Sequence, residues 1–191
     1  MHSPHPPRRL IAITGLKHSG KSSLAPRVAR ILALPALDLD EEALRAMRND
    51  LQAPGEGSNL RAYFRAYGAE LFQRYEVAAL AGLLRDQYRG ILACGGGIVD
   101  NGEAMELLEG ASLIVYLTAE FDILYERIIR GGIPPFLDSE DPRGSFLKLA
   151  QKRDAAYRKA AHLIVSVSDR SPAEAAVAVA TEIKESEDAR Q

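Results

Sequence analysis

The chain is poor in the residues that staple or anchor small proteins. Of 191 residues one is cysteine, none is tryptophan, and aromatic residues make up only 6%. The lone Cys94 excludes an intrachain disulfide framework and any zinc cage built on the cysteines of one chain. No run of about 18 or more apolar residues occurs, so no segment reads as a membrane span. An excess of charge of either sign is missing too. Against 24 Lys and Arg stand 26 Asp and Glu, net −2, which argues against a protein that coats nucleic acid by bulk charge. What remains is 47% hydrophobic and 26% charged residues, the balance of a globular protein, in a length that suits one α/β domain. The expectation from these counts is a cytoplasmic protein with neither a membrane nor a nucleic-acid partner.

Hydrophobic patterning gives alternating strands and helices. Residues 1–9, with Pro4, Pro6 and Pro7, read as a disordered tail. Leu10–Thr14 is a continuous apolar run that meets Gly15, the signature of a buried parallel strand. Further strands are expected at Leu34–Asp38, with Asp40 continuing its line, and at Ile91–Cys94, Ser112–Leu117 and His162–Val167. Helices are expected at Lys21–Leu32, Glu41–Arg48, Asn59–Leu84 with a break near Gly68, Glu103–Glu109, Glu120–Arg130 capped by Thr118, Ser145–Ala160 and Pro172–Lys184. The last start carries a full signal: Ser171 as N-cap, Pro172 at the first position and Glu174 completing a capping box. Residues 50–58 and 131–142 read as loops, the second rich in Pro and Gly. A single domain over 10–185, with a frayed end at 186–191, would hold a parallel sheet flanked by helices, its site at the carboxyl ends of the strands.

Gly15-Leu16-Lys17-His18-Ser19-Gly20-Lys21-Ser22 fits the pattern G-x-x-x-x-G-K-[ST] between a strand and a helix. Glycines let the backbone turn so that successive N–H groups face an anion, and the helix N-terminus adds partial positive charge. Lys21 brings a point charge to the β- and γ-phosphates, and the Ser22 hydroxyl can ligate Mg²⁺. Lys17 and His18 read as solvent-facing spacers. Asp38 and Asp40 suit either Mg²⁺ and a substrate hydroxyl or the N-cap of a following helix. Gly95-Gly96-Gly97 allows close approach of a ligand, or simply tight packing. Cys94 reads as a small buried hydrophobe, and Arg153 by itself as part of a solvated helix face.

Taken in order from about Leu10 to Lys184, these segments resemble the shikimate kinases, P-loop kinases of the adenylate-kinase-like group. The residues that carry the resemblance are the phosphate loop, Asp38-x-Asp40, Phe72-Gln73-Arg74-Tyr75-Glu76, Gly95-Gly96-Gly97 and Arg153-x-x-x-Tyr157. The resemblance implies a five-stranded sheet of order 2-3-1-4-5 and phosphorylation of shikimate by ATP with Mg²⁺. Lys21 and the loop residues Gly15, Lys17, His18, Ser19, Gly20, Ser22 and Ser23 would hold the ATP phosphates, and Ser22 and Asp38 the metal. Asp40 would face the acceptor hydroxyl. Gly95, Gly96 and Gly97 would floor the acceptor site, with Arg153, Gln73, Arg74 and Glu76 around it. The loop over 131–142 would be a lid. Two positions depart from the family pattern. Glutamine stands at Gln73, where the family carries an arginine, and that charge is moved to Arg74. The lid has no arginine at Pro134, leaving Arg130 as the nearest substitute.

Overall fold

In a computed structural model, residues 10–50, 60–134 and 136–189 are described, those of 60–66 by their backbone only. The expected tail over 1–9 and nearly all of the loop over 50–58 lie outside the described residues. Strands β1 (Leu10–Gly15), β2 (Ala36–Asp38), β3 (Gly90–Ala93), β4 (Ser112–Thr118) and β5 (Leu163–Ser166) alternate with helices. These are α1 (Lys21–Leu32), α2 (Leu39–Asp50), α3 (Leu60–Arg85), α4 (Gly102–Ala111), α5 (Phe121–Ile129), α6 (Pro142–Ala160) and α7 (Pro172–Asp188). All strand pairs are parallel, in the order β2-β3-β1-β4-β5.

The apolar runs are buried on both faces because alternate residues serve different cores. Leu10, Ala12, Leu92, Ile114 and Tyr116 point into one, shared with α3, α4 and α6. Ile11, Ile13, Ile91, Leu113, Val115 and Leu117 point into the other, shared with α1 and α7. On α1 and α7 small residues, Ala25, Ala29, Ala175, Ala176 and Ala180, alternate with Val28, Val179 and Ile183. Each fully buried Val, Leu or Ile contributes about 1.5–3 kcal/mol, so this two-sided aliphatic packing does the work that disulfides cannot. No helix of the described residues is long and apolar enough to cross a membrane.

Several boundaries differ from the pattern reading. The second strand ends at Asp38, and Asp40 lies in the first turn of α2 rather than on the strand. The cause is local: Asp38 Oδ1 accepts the Asp40 N–H at 3.0 Å, an N-cap bond that starts the helix. Thr118 stays in β4 and does not cap α5. The residue before α5 is Glu120, whose N–H goes instead to Ser168 Oγ at 2.9 Å. Helix α6 starts at Pro142, earlier than Ser145, because Asp141 caps it through the Gly144 N–H. Helix α7 runs to Asp188, beyond Lys184 and into the stretch expected to fray. The capping box of Ser171 and Glu174 is formed, and α3 breaks at Gly68 (φ 81°, ψ 170°).

Helix α1 ends on Ala33 in the left-handed conformation (φ 53°, ψ 41°), its N–H returning to Ala29 O and Arg30 O. A Cβ there strains against the following carbonyl, whereas glycine does not. Ala33→Gly is therefore expected to stabilise the protein by about 0.5–1 kcal/mol after its greater unfolded-state entropy is subtracted. An unchanged or lowered urea midpoint would show that the cap carries no strain.

Candidate active site

At the carboxyl end of β1 the chain turns through Gly15 (φ 151°), His18 (φ 64°) and Gly20 (φ 92°) before α1 begins. Gly20 occupies the N-cap of α1 and no side chain caps it, so the first N–H groups of the helix face the hollow of the loop. Lys21 is buried, and its ammonium donates to Leu16 O at 2.8 Å, drawn across the loop. Burial pulls its pKa down to about 8, against the opposing pull of Asp40, Cys94 and Asp38. The Ser19 hydroxyl is buried and without a hydrogen-bond partner among the described residues. Ser23 turns its hydroxyl back to Gly20 O at 3.1 Å. Lys17 and His18 are exposed, as expected.

Asp38 acts twice. One oxygen starts α2, and the other accepts from Ser22 Oγ at 2.9 Å. The pair offers hydroxyl and carboxylate oxygens side by side, the hard donors that Mg²⁺ takes. Asp40 follows in the first turn of α2. Burial, then the neighbouring Asp38 charge, raise its pKa to about 6, and Lys21 and Lys17 oppose this.

The turn after β3 joins these groups. A Cβ on Gly95 would collide with the Asp40 carboxylate. One on Gly96 would stand 2.8 Å from the backbone N of Lys17, and one on Gly97 3.5 Å from Arg153 Nη2. Carboxylate, phosphate loop and guanidinium thus meet on three residues without side chains. Arg153 donates from Nη1 to Gly96 O at 3.2 Å. It also pairs with Asp100, through Nε at 2.9 Å and Nη2 at 2.7 Å to one oxygen. Tyr157, one turn along α6, is fully buried, stacked on Tyr116 with its ring centroid 5.0 Å away.

Glu76 of α3 is buried and accepts from Asn101 Nδ2 at 3.1 Å. Burial raises its pKa to about 7, Asn101 opposes this, and the Asp40 charge adds to the rise. The Asn101 amide also donates to Gln73 O at 3.0 Å, while its oxygen caps α4. Gln73 is half-buried, but Arg74 is exposed. Two residues from both Phe72 and Glu76, Arg74 lies on the opposite side of the helix from that buried pair. It therefore does not join the site as expected. Arg130 is also exposed at the end of α5. Arg127, one turn earlier, is the residue that reaches the loop, donating to His18 O at 3.1 Å.

Asp100, Asn101 and Arg127 escape a motif reading. Asn101 had a visible signal, an Asn directly before a helix start. Asp100 sits in a 3₁₀ turn, Ile98–Asp100, too short to leave a periodic pattern.

The family model described as shikimate kinase matches residues 17–184. A shikimate kinase of Dechloromonas aromatica is 32% identical over 161 residues, 84% of this chain and 82% of that protein. One from Nitrosospira multiformis is 29% identical over 173 residues, 91% and 84% of the two chains. Among solved structures, the shikimate kinase of Acinetobacter baumannii in complex with shikimate superposes with a TM-score of 0.79 at 24% identity, over 93% of this chain and 94% of that one. The Aquifex aeolicus enzyme gives 0.73 at 22%, over 93% and 97%. The chain belongs to the shikimate kinase family and is an ATP-dependent small-molecule kinase.

The buried Glu76 makes stability depend on pH in a defined direction. Its folded pKa, about 7, lies above the ordinary 4.5. The folded protein then holds this proton more tightly than the unfolded chain, and stability is lost as pH rises through that window. Glu76→Gln keeps the shape and an oxygen for Asn101. It should gain at least about 1 kcal/mol over the parent between pH 5 and pH 8, read from urea unfolding at several pH values. A difference that does not vary with pH would mean that Glu76 ionises freely.

Proposed function

We propose that this chain transfers the γ-phosphoryl group of ATP to a hydroxyl of shikimate. The observation that carries the reading is the meeting of Asp40, the phosphate loop and Arg153 on Gly95–Gly97. A donor loop, a carboxylate of raised pKa and a guanidinium fork then surround one small space. The loop N–H groups and the Lys21 ammonium hold the polyphosphate. Arg153 takes the acceptor carboxylate, since Asp100 and Gly96 O engage only part of its donor set. Asp40 accepts the hydroxyl proton as the acceptor oxygen forms its bond to phosphorus. The bond from phosphorus to the bridging oxygen breaks, and its electron pair leaves with ADP. Ser22 and Asp38 would hold Mg²⁺, which when bound neutralises charge on the phosphates. The loop around Leu137 would serve as the lid over the donor side and exclude water. Leu137 pins it, buried in the core beside Phe146. A monomer in a reducing cytoplasm accords with the single, buried Cys94.

Asp40 must be ionised to take the proton, so kcat/KM should fall as pH drops below about 6. Asp40→Asn should leave ATP affinity within severalfold and reduce turnover by roughly 10²–10⁴-fold. Because Asp38 is the helix cap, the variant has no structural reason to unfold. Near-parental turnover would remove Asp40 from the chemistry.

Gln73 offers the acceptor a neutral amide. Gln73→Arg would add a cation one helical turn from Glu76 and is expected to lower KM for shikimate by roughly tenfold, with kcat little changed. If shikimate is not turned over by parent or variant while another hydroxy acid is, the fold serves a different acceptor.

A further inference from the structure

Phosphoryl transfer by positioned charge needs cations around the group in flight. Lys21 serves the side of the loop next to α1. The covering segment would be the natural source for the other side, but Gly131–Asp141 contains no lysine or arginine and three acids, Asp138, Glu140 and Asp141. What it brings to the phosphate loop is an aromatic ring. Lys17 Nζ stands 5.1 Å from the centroid of Phe136, a cation–π contact between loop and cover.

Two features fix where Lys17 stands. Its backbone N lies directly against the Gly96 turn, too close for a Cβ at that glycine. His18 beside it is held left-handed, a conformation unusual for a residue with a Cβ, and its carbonyl is tied down by Arg127. Lys17 also acts electrostatically on Asp40, the carboxylate that faces the acceptor. The Lys17 stem therefore leaves the loop where donor, acceptor base and cover meet. Phosphate oxygens are a stronger partner for an ammonium than an exposed aromatic ring is.

We infer that Lys17 supplies the second cation to the γ-phosphoryl group, and that Phe136 is the surface that keeps it poised there. The inference rests on the ATP-dependent transfer proposed above and assigns the charge that the covering segment lacks. Lys17 keeps its proton throughout. It neutralises the non-bridging oxygens while the bond to ADP breaks and the bond to the acceptor forms.

The test compares Lys17→Met, Lys17→Arg and Phe136→Leu, each checked for folding by circular dichroism. With Mg²⁺ present, calorimetry on Lys17→Met should show ATP binding weakened about tenfold and ADP binding changed by less than about twofold. Turnover with shikimate should fall by roughly ten- to a hundredfold. Lys17→Arg should stay within about threefold of the parent, and Phe136→Leu should fall between the two. An ATP-to-ADP affinity ratio within twofold of the parent's would overturn the inference. That ratio needs no acceptor. If the parent fails to turn over shikimate, the acceptor reading falls while the ratio still decides the role of Lys17.

Discussion

The geometry of this site depends on two consecutive residues, Gly95 and Gly96, having no side chain. The Asp40 carboxylate and the backbone of Lys17 occupy the places where a Cβ of Gly95 or Gly96 would project, and the Arg153 guanidinium lies at van der Waals distance from that of Gly97. A methyl group on Gly95 or Gly96 would have to displace a carboxylate or a backbone segment, and backbone in a packed interior does not move cheaply. The turn is itself held from below. Cys94 donates its N–H to Ile13 O in β1 at 3.0 Å, and the Ile98 N–H closes on Gly95 O at 3.2 Å. The central strands thus set the distance between donor loop and acceptor floor, which a surface loop could not hold as closely.

Charge around that floor is balanced in an unusual way. Asp40, Glu76 and Asp100 bring three carboxyl groups, and burial pushes the first two toward their neutral forms. Against them stand Lys21, Arg153 and, from the loop, Lys17. Asp100 holds Arg153 by two of its nitrogens and so orients the guanidinium while reducing the charge it shows to an acceptor. Glutamine at Gln73 lowers that charge again. Glu76, with no arginine at that position of its helix, turns to Asn101. On the reading proposed above, an acceptor carboxylate would be held here by hydrogen-bond geometry more than by net charge.

The strands, the phosphate loop and the glycine turn were legible in the sequence because each rests on local chemistry, whereas the strand order followed from the family resemblance. Buried parallel strands must be continuous apolar runs, and a loop that turns its N–H groups inward needs glycine at fixed places. The start of α2 was harder. Asp38-Leu39-Asp40 carries both a strand's spacing and a cap's residue types, and only the bond from the Asp40 N–H decides between them. Arg74 shows a second limit. Its neighbours Phe72 and Glu76 are the buried face of α3, and a long cation one step around the helix is carried out to solvent. Asp100 and Arg127 act through partners 53 and 109 residues away in the chain, and no local pattern encodes such pairs.

The shift of Asp40 from strand to helix changes what the acid can do. On a strand, Asp38 and Asp40 would share one face, two like charges aimed at the same ion or hydroxyl. In the first turn of α2 they separate. Asp38 stays at the strand end, accepting from the Ser22 hydroxyl and from the Asp40 N–H at the helix N-terminus. Asp40 has its pKa raised to about 6 by burial and by the neighbouring Asp38 charge. On the reading proposed above, two adjacent carboxylates would thereby take two tasks, Asp38 beside the Ser22 hydroxyl that would hold Mg²⁺ and Asp40 toward the acceptor hydroxyl. The residue types are those of an ordinary helix cap. The division of labour arises because the cap residue also lies within hydrogen-bond reach of the phosphate loop.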